Sequence, residues 1–170
     1  MGYASTADRL ARIAERYADT IKIVPYADEY RDQMVAVAHE IHAHSLYKDL
    51  PMDDAKLVRQ LAAAGGLAPD RYFRLAVREG EVLGGFFGGA NKTFFCNALL
   101  ARDMGWWVKE SARGGAAAVL LLTDFEVWAH GMGCSKVMIG QAGVENIDRT
   151  MQLYQNCGYT LTGYNTAKEI

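Results

Sequence analysis

The sequence predicts one α/β domain, of the α+β type, on a mixed and mostly antiparallel sheet with helices on both faces. Three observations predict it. Tyr72 to Arg78 and Glu81 to Phe87 are two apolar runs separated by Glu79-Gly80, the pattern of an antiparallel hairpin. Residues 104 to 139 read as strand, helix and strand, which closes as a right-handed parallel crossover at the centre of the sheet. The 170 residues show no repeat, linker or low-complexity run, so residues 1–170 are read as a single domain able to bury its own core.

Residues 1–20 are read as an amphipathic N-terminal helix, with Leu10, Ile13, Ala14 and Tyr17 at helical spacing and Arg9, Arg12 and Arg16 on a neighbouring stripe. Ile21 to Val24 is a short strand that Pro25 ends. A helix follows from an Asp28 cap, with Tyr30, Met34, Val37, Ala38 and Ile41 on one face. Its end carries His39, Glu40, His42 and His44, which miss the zinc spacing H-E-x-x-H because position 43 is Ala. No metal site is predicted. Since histidine titrates near neutrality, these side chains, with Asp53 and Asp54, are expected to line a substrate cleft. Leu50-Pro51 breaks the chain before a helix at 52–64, with Leu57, Val58 and Leu61 inward and Gly65-Gly66 as its stop.

In the second hairpin strand, Gly84, Gly85, Gly88 and Gly89 mark a place where the strand bulges or something approaches its backbone closely. Thr93 to Cys96 reads as an extra strand, Asn97 to Arg102 as a helical turn, and Met104 to Lys109 as a strand. A helix at 114–130 ends at Gly131-Met132-Gly133. Ser135 to Ile139 is a buried strand, Gln141 to Glu145 a loop, Asn146 to Gln155 a helix, and Tyr159 to Tyr164 a final strand.

Charged residues make up 22% and the net charge is −2, which argues against gripping a nucleic-acid backbone as the main task. Cys96, Cys134 and Cys157 are odd in number and lack metal-ligand spacing, the usage of reduced thiols in a cytoplasmic protein. No apolar run of 18 residues and no signal-peptide pattern is present, so neither a membrane span nor secretion is expected.

The chemistry concentrates between Trp106 and Ala129, where a strand passes through Arg113-Gly114-Gly115-Ala116-Ala117-Ala118 into an apolar helix. A helix that starts after glycines offers free N–H groups and a positive dipole end, which suits phosphate. No G-K-[ST] and no G-x-G-x-x-G between strand and helix occurs, which removes the P-loop and the dinucleotide fingerprint. The segment resembles the pyrophosphate-binding motif of the GNAT superfamily of acyl-CoA N-acyltransferases, Q/R-x-x-G-x-G/A. Arg113 takes the first place, Val108 is the aliphatic residue five positions upstream, Ala118 is the final alanine, and Ala116 stands where the family prefers glycine. A second resemblance follows. The family's next helix reads N-x-x-A-x-x-L-Y-x-x-x-G-F; this chain opens the segment on Asn146 and carries Leu153-Tyr154 and Gly158-Tyr159, with Arg149 as a departure.

The resemblance, densest over residues 104–160, implies a transfer of acetyl from acetyl-CoA, the co-substrate, to a primary amine of a small molecule or peptide by direct attack. It implies that Arg113, Gly114, Gly115, Ala116, Ala117, Ala118 and Asn146 bind the cofactor, and that the strand edge at Trp106, Trp107 and Val108 holds the thioester. The Val108 N–H would polarise the thioester carbonyl. The Tyr154 phenol would protonate the departing thiolate, and a carboxylate before the phosphate loop, Asp103 in this chain, would take the proton of the amine. Strand alternation puts Trp106 and Val108 on one face and Asp103 on the other unless a bulge intervenes. Glu110, Glu40, His42 and His44 are the other candidates. Two further readings stay open: acetylation of a macromolecular amine, such as aminoacyl-tRNA or modified DNA, and a non-catalytic binding module of the same fold. The family adds one more antiparallel strand where this chain stops. The expectation is a homodimer that covers the sheet edge, checked by sedimentation.

Overall fold

The computed structural model describes residues 12, 16–17, 20–64, 69–140, 147–163 and 168. β-Branched and aromatic residues assemble a five-stranded sheet whose spatial order follows the chain: β1 (Lys22–Pro25), β2 (Arg71–Arg78), β3 (Glu81–Lys92), β4 (Leu99–Val108) and β5 (Lys136–Met138). β1 to β4 pair antiparallel, and β5 joins β4 in parallel. The helices are α1 (Arg31–Ala43), entered through a 3-10 turn at Asp28–Tyr30, then α2 (Asp54–Ala64), α3 (Ala117–Gly131) and α4 (Ile147–Asn156). This is the mixed, mostly antiparallel sheet with a β4–α3–β5 crossover that the sequence predicts.

Alternation along the strands sends side chains to two cores. On one face α3 lays Leu120, Leu121, Phe125 and Ala129 against Tyr72, Leu83, Phe86 and Ala101. On the other, Met34 of α1 and Leu61 of α2 meet Phe73, Leu75 and Val82. Phe86 and Phe125 stack with ring centroids 4.2 Å apart, and burying side chains of this size stabilises the fold by about 1.5–3 kcal/mol each.

The glycines of β3 serve close approach and a bulge at once. A Cβ on Gly85 would lie 2.4 Å from the Trp107 ring, one on Gly88 2.7 Å from the Phe125 ring, and one on Gly84 2.6 Å from the Trp107 carbonyl oxygen. Beside them the register between β3 and β4 slips at Phe87/Gly88.

Three expectations are corrected. Thr93 to Cys96 is not a strand: residues 94–97 form the bend of a hairpin tip, held by the Cys96 N–H donating to Thr93 Oγ1 at 2.9 Å. Asn97 to Arg102 is not a helical turn, because Leu99 already pairs with Lys92, Leu100 with Asn91 and Ala101 with Ala90. Pairing on both edges, with β3 and with Lys136–Met138, overrides the weak local preference of that segment. Within Tyr159 to Gly163 no strand forms. The Tyr159 N–H donates to the Tyr154 carbonyl at 2.9 Å and its phenol to Glu126 Oε1 at 2.7 Å, which ties this segment to α4 and α3 instead. Most of the N-terminal helix reading, the Gly65-Gly66 stop, the 141–145 loop, Asn146 and Tyr164 lie outside the described residues.

Candidate functional site

The bulge decides where Asp103 points. On β3, Phe86 and Gly88 are two residues apart and face α3, since Phe86 stacks on Phe125 and a Cβ on Gly88 would meet the same ring. Their partners on β4 are Trp106 and Asp103, which are three residues apart. One extra residue in β4 therefore reverses the alternation, and Asp103 shares a face with Trp106 and Val108. The condition stated for the sequence, that alternation separates them unless a bulge intervenes, is met by the bulge.

The same region opens between β4 and β5. Among the described residues, parallel pairing covers Leu100 with Lys136, Ala101 with Val137 and Arg102 with Met138, and β4 runs on to Val108 past the end of β5. The Lys109 N–H donates back to the Leu83 carbonyl at 2.9 Å, so ladder alternation turns the N–H and carbonyl of Val108 away from β3 toward the opening. Arg113 Nε donates to that Val108 carbonyl at 3.4 Å. Beyond the opening lies the loop into α3. The Leu120 N–H donates to the Ala116 carbonyl at 2.9 Å, which leaves the N–H groups of Ala117, Ala118 and Val119 without an intrahelical acceptor.

Ala116, which departs from the family motif, fits this loop. Its φ of −77° is ordinary helical backbone and its methyl is buried in the α3 core. Gly114 is the residue that needs to be glycine, at φ +82°. Gly115 has the Ala112 carbonyl oxygen 3.2 Å from where a Cβ would stand.

Asp103 and Tyr154 meet at the mouth of the opening through one residue that sequence patterns gave no reason to single out. The Gly140 N–H donates to Asp103 Oδ1 at 2.8 Å, and the Tyr154 hydroxyl donates to the Gly140 carbonyl at 3.3 Å. The Tyr154 ring lies 5.6 Å from the Trp106 ring. Burial pushes the Tyr154 phenol up, and the Asp103 charge adds to it, so the hydroxyl stays protonated. Burial also pushes the Asp103 carboxyl up, partly offset by the Gly140 N–H. The Trp106 indole nitrogen is buried with no hydrogen-bond partner among the described residues.

Other expected site residues fall elsewhere. Trp107 faces the α1 and α2 side, packed over Gly85 and near Phe73, and is separated by the sheet from Tyr154. His39 Nε2 pairs with Asp54 Oδ1 at 2.9 Å, whereas Asp53 accepts the Lys56 N–H at 2.8 Å and so caps α2. Glu40 Oε1 accepts the Glu110 N–H at 3.4 Å, which sets the histidine-bearing end of α1 against the chain just past β4. Asn146 lies outside the described residues, and counting back from Tyr154 the family's asparagine would fall on Ile147. Among the described residues no three His, Cys, Asp or Glu side chains gather as metal ligands, and no helix is long and apolar enough to cross a membrane.

No family profile and no curated protein matches the sequence. Solved structures do match the fold. The glucosamine-6-phosphate N-acetyltransferase of Arabidopsis thaliana superposes with a TM-score of 0.69 at 17% identity, over 88% of this chain and 98% of that one. AAC(6')-Iy in complex with a CoA-linked bisubstrate analogue gives 0.66 at 17% identity, over 88% and 97%. A GNAT family acetyltransferase of Staphylococcus aureus gives 0.61 at 16% identity, over 89% and 99%. The strand order, the parting of β4 from β5 and these superpositions together show that this chain has the fold of the GNAT-family acetyltransferases.

Proposed function

We propose that this protein is an N-acetyltransferase that uses acetyl-CoA and transfers its acetyl group directly to a primary amine of a small molecule or peptide. The observation that carries the reading is the meeting of Asp103 and Tyr154 on Gly140, beside Trp106, where β4 and β5 part. The residues present fit the co-substrate. N–H groups of Ala117, Ala118 and Val119 suit its pyrophosphate, the outward N–H of Val108 and the unpartnered Trp106 indole suit carbonyl oxygens, and the bound thioester supplies the activated acetyl group.

Asp103 takes the proton that an ammonium must lose before it attacks. A carboxyl raised by burial is the better base for this, because its pKa moves toward the working pH. Tyr154, beside Trp106, would face the leaving sulfur of a bound thioester. A phenol held up by burial is a weaker acid than a thiol, which titrates at about 8.5, so Tyr154 acts by donating a hydrogen bond as charge grows on sulfur. The second amine proton, released as the C–S bond breaks, leaves on the thiol. The 3.3 Å bond to Gly140 is long enough to be exchanged for that one. Arg113 occupies the Val108 carbonyl, which leaves the N–H of the same residue as its group free to polarise a carbonyl.

AAC(6')-Iy, which shares this fold, was solved with a CoA-linked analogue, and that supports the choice of co-substrate. The test is a thermal melt with acetyl-CoA, CoA and a desulfo analogue, followed by a screen of amines for CoA release. At a hundredfold excess over Kd the expected stabilisation is about 2.7 kcal/mol, or roughly 5 to 10 °C for a domain of this length. No shift with any of the three would leave the non-catalytic reading in its place.

A further inference from the structure

A second cation stands over the loop that leads into α3. Arg149, in the first turn of α4, brings Nη2 to 3.0 Å from the point a Cβ on Gly114 would occupy. Its side chain is exposed, and among the described residues it pairs with no carboxylate. Arg31, Arg74 and Lys109, by contrast, each meet one. An exposed guanidinium without a carboxylate partner, set beside a loop of unpaired N–H groups, keeps its donors available to an anion in the same space.

The loop itself is short of full positive charge. Unpaired N–H groups at the start of a helix amount to roughly half an elementary charge. Arg113 is turned back onto the Val108 carbonyl. A pyrophosphate brings two negative charges, and a planar guanidinium fork suits its oxygens. Gly114 makes the approach possible in two ways, through its left-handed φ of +82° and by having no Cβ where Nη2 comes near.

We propose that Arg149 is a phosphate-gripping residue, which closes the 113–119 loop over the pyrophosphate of the CoA moiety and supplies the charge that the loop lacks. This rests on the co-substrate reading above. The experiment is calorimetric titration of the full chain and of the variants Arg149→Ala and Arg149→Lys. The probes are CoA, 3′-dephospho-CoA, which keeps the pyrophosphate, and pantetheine at millimolar concentration, which has no phosphate.

Arg149→Ala should weaken CoA and 3′-dephospho-CoA alike, by about 10- to 100-fold, the range for a lost charge-assisted hydrogen bond. Pantetheine should be unaffected, and Arg149→Lys should recover part of the loss. Equal weakening of all three probes would mean that Arg149 only supports the loop. A loss confined to CoA would assign it to the 3′-phosphate; either result, or an unchanged Kd, overturns the proposal. If the unaltered chain binds none of the probes, the co-substrate reading itself fails, an outcome distinct from normal binding that Arg149→Ala leaves intact.

Discussion

Tyr154→Phe separates a catalytic hydroxyl from a packing ring, because the structure allows both effects to be sized. The ring keeps its neighbours, with Trp106 at 5.6 Å and Tyr159 at 6.1 Å between centroids. What is lost is one hydrogen bond of 3.3 Å, and its acceptor, the Gly140 carbonyl, belongs to an exposed residue that water can satisfy. Such a bond contributes about 0.5–1.5 kcal/mol net, and a long one the lower part of that range, so the melting temperature should fall by no more than about 1–4 °C. Loss of the hydrogen bond to the departing sulfur should lower kcat by about 10²- to 10³-fold, or roughly 2.7–4 kcal/mol of barrier. The catalytic effect therefore outweighs the structural one. The assay is thiol release under saturating acetyl-CoA with the best amine from the screen, beside calorimetric Kd values for CoA. The expected result is a large fall in kcat with Kd for CoA within about twofold of the parent, since phosphate binding is remote from the phenol. An unchanged kcat would remove Tyr154 from the mechanism, and a fall in kcat matched by a large drop in melting temperature would assign it to packing.

Two other perturbations test the geometry around it. Gly84→Ala places a methyl 2.6 Å from the backbone carbonyl of Trp107, which no rotamer change can relieve. It should destabilise the protein by about 1–3 kcal/mol, seen as a lower chemical-denaturation midpoint, and a neutral result would show that β3 and β4 are less tightly apposed than they are here. Asp103→Asn tests the buried carboxyl through pH. Burial raises its folded-state pKa above the unfolded value, so its contribution to stability is fully present below the unfolded pKa of about 3.9 and is lost as pH rises through the folded pKa. The asparagine variant should thus melt at or above the parent temperature near pH 7, with the difference vanishing toward pH 4, while turnover falls. A variant that is least stable near pH 7 and regains stability in acid would show that the Gly140 N–H holds the charge more strongly than burial penalises it.

Hydrophobic period and turn chemistry are local, and they carried the reading wherever a segment's own residues decide its state. The hairpin around Glu79-Gly80, the amphipathic faces of α1 and α2, the apolar helix α3 and the run from Arg113 to Ala118 were all legible in this way. Legibility failed from Thr93 to Arg102, where β4 exists because two neighbouring strands pair with it, and from Tyr159 to Gly163, where Tyr159 is held by α3 and α4 instead of a strand partner. The candidate site divides along the same line. Sequence alone singled out Tyr154, Asp103, Trp106, Val108 and the glycine loop as chemistry-bearing residues. Tertiary structure decided that Asp103 turns to the face of Trp106, that Gly140 joins it to Tyr154, that Trp107 lies on the opposite side of the sheet, and that Arg149 stands over Gly114. The physical reason is that a side chain's face follows from strand register, a single inserted residue reverses it, and register is set by the partner strand rather than by the strand itself.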